Sequence, residues 1–115
     1  FDLKLPEFVV ESLQLDQLLE PITNRLRTIM GNPEPIIRTH NIVFAPVGSP
    51  EQNWHYDDCM SKAKLHRYFT ILIPLNTIDS SSGGTEIWSK RQKRADLVRP
   101  RPGDAFVFNG SLCHR

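Results

Sequence analysis

Apolar residues in the first third of the chain recur at spacings of three and four, which is the repeat of one face of an amphipathic helix. Asp16, near the start of this pattern, is the expected N-cap, and the sequence GNP that begins at Gly31 is a stop signal. Pro21 must lie near the first turn or else kink the helix, because proline lacks a backbone N–H. We therefore predict a helical scaffold within residues 1–35. Its apolar face consists of Leu15, Leu18, Leu19, Ile22, Leu26, Ile29 and Met30.

Beyond Pro35 the pattern changes to short segments rich in β-branched and aromatic residues, separated by Gly, Pro, Ser and Asn. The segments are IIRTHNIVFA, QNWHYD, RYFTILIPL, TEIW, DLVR, DAFVFN and SLCH. Short strands at such spacing are typical of an antiparallel sandwich or jelly roll. Because 115 residues suffice for one domain, we predict a single domain with an all-β core over residues 36–115 and the N-terminal helix packed against it.

Composition narrows the class of protein. The chain is 39% hydrophobic and 23% charged with a formal charge of +1, which is ordinary for a soluble globular protein and gives no sign of a nucleic-acid partner. The longest apolar stretch, Phe69 to Leu75, is far shorter than the roughly 20 residues that a membrane span requires. Two cysteines, Cys59 and Cys113, are too few for a disulfide scaffold. We interpret them as free thiols and expect an intracellular, cytoplasmic protein.

The sequence WHYDD at residues 54–58 contains the candidate chemistry. Residues two apart in a strand share a face, so Asn53, His55 and Asp57 would point one way, and Asp58 the other. An isolated His-x-Asp pair is more often a polar turn than a metal site. A second histidine, His114, follows the strand-like DAFVFN, and a folded-back sheet could bring it beside the pair. Two histidines and one carboxylate form the triad that suits non-haem Fe(II).

Three stretches together carry a resemblance to a known family: GSPEQNWHYDD, RYFTILIPLNTIDSSSGGTEIW and RPRPGDAFVFNGSLCHR. They resemble, in the same order, the double-stranded β-helix core of the phytanoyl-CoA dioxygenase-like family of Fe(II)/2-oxoglutarate oxygenases. The likeness runs from about Ile36 to Arg115. It implies a cupin-like jelly roll and a dioxygenase that uses Fe(II), 2-oxoglutarate and O2 to hydroxylate or oxidise a small-molecule or lipid-like substrate.

The resemblance also assigns roles to individual residues. It makes His55, Asp57 and His114 the iron ligands. Thr85, in GGTE, falls where the family often places a hydroxyl that contacts 2-oxoglutarate. The family also places a polar amide before the His-x-Asp box, and two residues compete for that role: strand alternation favours Asn53, whereas the family's glutamine favours Gln52.

Two departures from the family pattern affect what can be inferred. Ser89 to Gln92 read SKRQ, where the family usually has a Pro-Gly-Ser-His turn at the site entrance. In the family, a basic residue several positions after the distal histidine normally holds the distal carboxylate of 2-oxoglutarate. Arg115 does not fit this role, because it is adjacent to His114 and strand alternation turns it to the opposite face. We therefore expect the sequence to be a fragment of a longer protein.

Other interpretations remain open from the sequence. A cupin-like enzyme could use the same triad without 2-oxoglutarate, and a non-catalytic jelly-roll module could bind a structural metal. The basic residues Lys90, Arg91, Lys93 and Arg94 form a solvated loop by default, or a site for an anionic substrate such as a CoA thioester. His40 and His66 are interpreted as structural histidines rather than ligands.

Overall fold

The structure of the protein is a computed structural model that describes residues 2–31, 36–57 and 68–115. The chain forms two compact units, Phe1–Pro46 and Val47–Arg115. The segment IIRTHNIVFA, which the sequence groups with the sheet core, lies in the first unit. Asn32, Pro33, Asp58, Cys59 and His66 are outside the described residues, so the predictions that concern them have no structural counterpart.

The first unit combines a short antiparallel strand pair with two helices. Strand β1 (Asp2–Lys4) pairs with β2 (Asn41–Val43). Helix α1 spans Glu7–Ser12 and helix α2 spans Leu15–Met30. Neither the first strand nor α1 is signalled by a strong sequence pattern, whereas α2 is the amphipathic helix that the apolar spacing predicts.

Helix α2 ends where the sequence predicts but does not begin as expected. Gly31 is the C-cap in the left-handed conformation, and its N–H bonds to the carbonyls of Arg27 and Thr28. The prediction of Asp16 as N-cap is wrong, because Gln14 holds that position in a left-handed conformation and Asp16 lies in the first turn. A carboxylate there still interacts favourably with the helix dipole. Pro21 lies inside the helix, beyond its first turn.

The apolar face of α2 is covered only in part. Leu26 is buried, and four other residues of the predicted face are half-buried: Leu15, Leu19, Ile22 and Met30. Leu18 and Ile29, which the same periodicity assigns to the face, are exposed. The covered stripe is therefore narrower than the sequence pattern predicts.

Every regular element described in the second unit is a β-strand. Strand β3 (Phe69–Leu72) pairs antiparallel with β6 (Phe106–Asn109), and β4 (Thr85–Ser89) pairs antiparallel with β5 (Arg94–Val98). These strands fall in the segments RYFTILIPL, DAFVFN, TEIW and DLVR. The side chain of Phe108, in β6, is buried and provides the apolar core of this unit.

The last residues of the chain extend the β4–β5 pair on its other side. His114 forms an isolated antiparallel bridge with Ile87 of β4 and another with His55. The backbone bonds on both sides of His114 are 2.8–3.0 Å long: Trp88 to Cys113, Glu86 to Arg115 and His55 to His114. Residue 55, the segment 113–115, β4 and β5 therefore lie side by side in that order.

The architecture agrees with part of the predicted fold. Among the described residues the strands form three two-stranded sheets, and a closed jelly roll is not seen. The segments QNWHYD and SLCH contribute isolated bridges, through His55 and His114, rather than strands. In the described ranges, no helix has both the length and the apolar character needed to cross a membrane.

Candidate metal centre

The bridge between His55 and His114 brings two distant parts of the chain to one point. Paired residues of an antiparallel bridge have their side chains on the same face, and the two imidazole rings lie 4.2 Å apart between centroids. Asp57, two residues after His55, reaches the same point. Its Oδ1 atom lies 3.6 Å from Nε2 of His55 and 3.4 Å from Nε2 of His114. The structure therefore brings together the three residues that the sequence singles out.

The hydrogen bonds of the two rings determine which nitrogen carries the proton. Nδ1 of His55 lies 2.8 Å from the carbonyl oxygen of Asn53, and Nδ1 of His114 lies 3.0 Å from that of Leu112. A carbonyl oxygen only accepts, so each Nδ1 must be the donor. In a neutral ring the proton on Nδ1 leaves a lone pair on Nε2, which is the form in which histidine binds a metal.

The donor set fits a cation. The two Nε2 lone pairs and the Asp57 Oδ1 converge, and the donor atoms of the three residues all lie within 4.8 Å of one another. Three acceptor atoms facing one another repel unless a proton or a cation lies between them. Two imidazoles and one carboxylate on one side of a metal are the set that non-haem Fe(II) oxygenases use, with open positions on the other side. These residues can thus hold Fe(II).

The centre is partly shielded from water. His114 is almost fully buried, with 7% of its side chain exposed, and the Asp57 side chain is 25% exposed. The ring of Phe108 packs edge-on against His114 at 4.7 Å between centroids. His55 is the most open of the three, with 38% of its side chain exposed. The exposed side is therefore the side from which small molecules can approach the donor atoms.

Thr70 is a site residue that the sequence analysis missed. Its hydroxyl lies in β3 and donates to Oδ2 of Asp57, the carboxylate oxygen that does not face the histidines. The sequence feature that could have identified Thr70 is its position as the polar residue between Phe69 and Ile71 in an apolar strand. Only the folded chain reveals that this hydroxyl meets Asp57.

Arg115 lies on the other face of the same strands, as alternation predicts. Its guanidinium is 2.5 Å from carboxylate oxygens of both Glu51 and Glu86, and it stacks over the Trp54 ring at 4.8 Å. Trp54 in turn contacts Trp88 edge-on at 6.0 Å. Arg115 is therefore engaged in holding segments together and is not directed at the three donor residues.

Tyr56 and Cys113 also belong to that outer face, each next to a member of the triad in sequence. A hydrogen bond with the Cys113 thiol raises the pKa of Tyr56 above its ordinary value. Cys113 is a free cysteine, as the sequence predicts. Its contact with Tyr56 is on the side away from the donor atoms, so we assign it no chemistry.

The residues expected to contact 2-oxoglutarate differ in how exposed they are and in how they relate to the triad. Thr85 is half-buried and shares its face of β4 with Ile87, the bridge partner of His114. Its hydroxyl is thus on the same face as the histidines. The Asn53 side chain is exposed, and its backbone carbonyl accepts a hydrogen bond from Nδ1 of His55. Gln52 is exposed as well. The choice between Gln52 and Asn53 remains a prediction.

Two other described groups singled out from the sequence contribute no donor atom to this centre. In the first unit, Nε2 of His40 lies 3.4 Å from Asp16, close enough for an ion pair but outside hydrogen-bond geometry. The four basic residues Lys90, Arg91, Lys93 and Arg94 lie on or beside the exposed β4–β5 turn, where Arg94 pairs with Asp96 at 3.0 Å. Of the described residues, only His55, Asp57 and His114 form a group with metal-ligand geometry.

Comparison with known proteins yields one match. A protein-family model described as the 2OG-Fe(II) oxygenase superfamily matches residues 42–115, which is more than half of the chain and includes all three donor residues. No curated protein and no solved structure gives a match. The match therefore rests on the second unit together with a few residues before it.

Proposed function

Because the chain belongs to the 2OG-Fe(II) oxygenase superfamily, we propose that it is an Fe(II)- and 2-oxoglutarate-dependent dioxygenase that hydroxylates or oxidises a small-molecule or lipid-like substrate. Membership implies Fe(II), 2-oxoglutarate and O2 as reactants and a double-stranded β-helix as the fold. The observation that supports the proposal most strongly is the convergence of two imidazole Nε2 atoms and one carboxylate oxygen.

In this proposal His55, Asp57 and His114 hold the iron. The carbonyls of Asn53 and Leu112 accept hydrogen bonds from the two Nδ1 atoms, so in the neutral rings the Nε2 lone pairs face the site and can bind metal. Asp57 contributes one negative charge, which offsets part of the charge of the cation. Phe108 covers the inner side of His114, and this contact limits water on the buried side.

For the cosubstrate, we propose Thr85 as the hydroxyl that contacts 2-oxoglutarate, and Gln52 or Asn53 as the amide. Thr85 is supported by its position on the same strand face as Ile87 and His114. When bound, Fe(II) and 2-oxoglutarate supply the oxidising chemistry, in which 2-oxoglutarate and O2 yield succinate and CO2 while a substrate C–H bond is oxidised.

The finer family and the fold belong to the proposal as well. The order of the elements supports a phytanoyl-CoA dioxygenase-like enzyme. In the proposed β-helix, one sheet contains residue 55, segment 113–115, β4 and β5. The other sheet contains the β3–β6 pair. The basic turn with Arg91 and Arg94 would favour an anionic substrate. If charge reversal at both positions left the affinity for an acidic substrate unchanged, this part of the proposal would be rejected.

Anaerobic titration with Fe(II) and 2-oxoglutarate tests the function directly. The wild-type chain should develop the weak visible charge-transfer band of the iron chelate, and Asp57→Ala should abolish it. Asp96→Ala, which removes a carboxylate paired with Arg94 on the surface, is the matched control and should keep the band. A band that survives in Asp57→Ala would refute the assignment of the ligands.

Product analysis distinguishes the oxygenase from the two alternatives. A dioxygenase forms succinate in proportion to oxidised product once a substrate is found. A cupin-like enzyme would bind metal and turn over substrate without forming succinate. A non-catalytic module would bind metal, lack the chelate band and consume no 2-oxoglutarate.

A further inference from the structure

The two oxygens of the Asp57 carboxylate have different partners. Oδ1 faces Nε2 of both histidines, at 3.6 and 3.4 Å. Oδ2 accepts a hydrogen bond from the Thr70 hydroxyl. The carboxylate group rotates within a broad energy well, so a contact to one oxygen also orients the other. The orientation of Asp57 is therefore linked to a residue of another strand.

Thr70 is well placed to hold that orientation. It lies within β3 and pairs across the ladder with Phe108 of β6, so its backbone is fixed on one side by regular hydrogen bonds. A hydroxyl between Phe69 and Ile71 is costly in an apolar strand unless it has a partner, and a bond to a carboxylate is of the stronger, charge-assisted kind. The same cross-strand pair also supports a histidine, because the Phe108 ring packs against His114.

We propose that Thr70 is a positioning residue that holds Oδ2 of Asp57, so that Asp57 offers a single oxygen to the metal. This inference rests on the proposed function, because it takes Asp57 to be a ligand. With Oδ2 engaged by Thr70, Asp57 occupies one coordination position rather than two. The positions that cosubstrate and O2 require then stay open.

Manganese binding tests this role without any need for turnover. Mn(II) is titrated into the chain, and free Mn(II) is measured by its solution electron paramagnetic resonance signal. Thr70→Val keeps the shape of the side chain but removes the donor, and it should weaken Mn(II) binding by about 10- to 100-fold, the usual effect of losing a partner of a metal ligand. Thr70→Ser keeps the donor and should restore most of the affinity. The exposed Thr77→Val is the matched control and should bind like wild type.

The outcomes distinguish a failure of the positioning role of Thr70 from a failure of the proposed metal site. Unchanged affinity in Thr70→Val, or equal weakening in Thr70→Val and Thr70→Ser, would overturn the positioning role. Wild-type binding that Asp57→Ala fails to weaken would overturn the metal site itself. If tryptophan fluorescence shows that Thr70→Val is unfolded, Thr70→Ala takes its place in the comparison with Thr70→Ser. The same two outcomes then decide the question.

Discussion

At the scale of single residues, the ion pairs of the second unit differ in how far they are shielded from water. Arg115 is the clearest case, because one guanidinium contacts Glu51 and the Trp54 ring from one segment and Glu86 from β4. Its side chain is only 29% exposed, whereas Arg94, paired with Asp96, is 67% exposed. The Arg115 cluster and the Arg94–Asp96 pair therefore differ in how much water surrounds them.

Replacement of Arg115 by Met should therefore destabilise the second unit more than the same change at Arg94. Arg115→Met leaves Glu86 half-buried without its cation, and we expect a loss of about 1–2 kcal/mol in the free energy of unfolding. Arg94→Met removes an exposed pair and should cost less than about 1 kcal/mol. Urea unfolding followed by tryptophan fluorescence measures both values. Equal losses would mean that the Arg115 cluster adds nothing beyond a surface pair.

At the scale of elements, the loop before β4 fixes where Thr85 lies. The Asp79 carboxylate accepts hydrogen bonds from the hydroxyls of Ser81 and Ser82 at 2.6 and 2.9 Å and from their backbone N–H groups at 2.8 and 3.0 Å. The hydroxyl bonds, and then the backbone bonds, lower the pKa of Asp79 below its ordinary value. Two glycines follow, and both have positive φ. Gly84 has little free space, because a Cβ there would lie 2.9 Å from the Val98 carbonyl oxygen.

This difference in space predicts different effects of alanine at the two glycines. Gly83→Ala meets no atom within 4 Å and should cost only the strain of a positive φ, about 1–3 kcal/mol. Gly84→Ala carries similar strain and also pushes against β5, where Val98 is the ladder partner of Thr85. We expect it to cost about 1–3 kcal/mol more than Gly83→Ala. Urea unfolding of both variants provides the test, and equal losses would contradict the crowding at Gly84.

At the scale of the whole molecule, the candidate metal centre joins residues that are far apart in sequence within the second unit. Asp57 contacts β3, and His114 contacts both residue 55 and β4. A ligand that binds only the folded state stabilises it by mass action. Both tryptophans of the chain, Trp54 and Trp88, lie in this unit, so their fluorescence reports its unfolding.

Metal should therefore stabilise the second unit as a whole. Mn(II) at about 100 times its dissociation constant should raise the free energy of unfolding by about 2.7 kcal/mol. Asp57→Ala should show no such increase at the same Mn(II) concentration. Urea unfolding followed by tryptophan fluorescence measures the difference. An equal increase in both proteins would indicate that the metal binds elsewhere.

The sequence determined those features that follow from local backbone geometry. The spacing of three and four predicts α2, and the alternation of a strand predicts that His55 and Asp57 share one face while Arg115 lies opposite His114. The superfamily, too, is identified from the sequence, through the family model that matches residues 42–115. These features need only the repeat of the backbone and the identity of nearby residues.

The tertiary structure decided which residues from distant segments meet. The bridge that places His114 beside His55, the Thr70 hydroxyl on Asp57 and the glutamates around Arg115 each depend on which strands pair and in which register. The predicted strands QNWHYD and SLCH are reduced to isolated bridges for the same reason, since a strand needs a partner along its length. Local patterns fix the direction of a side chain, but strand pairing over long distances fixes what that side chain touches.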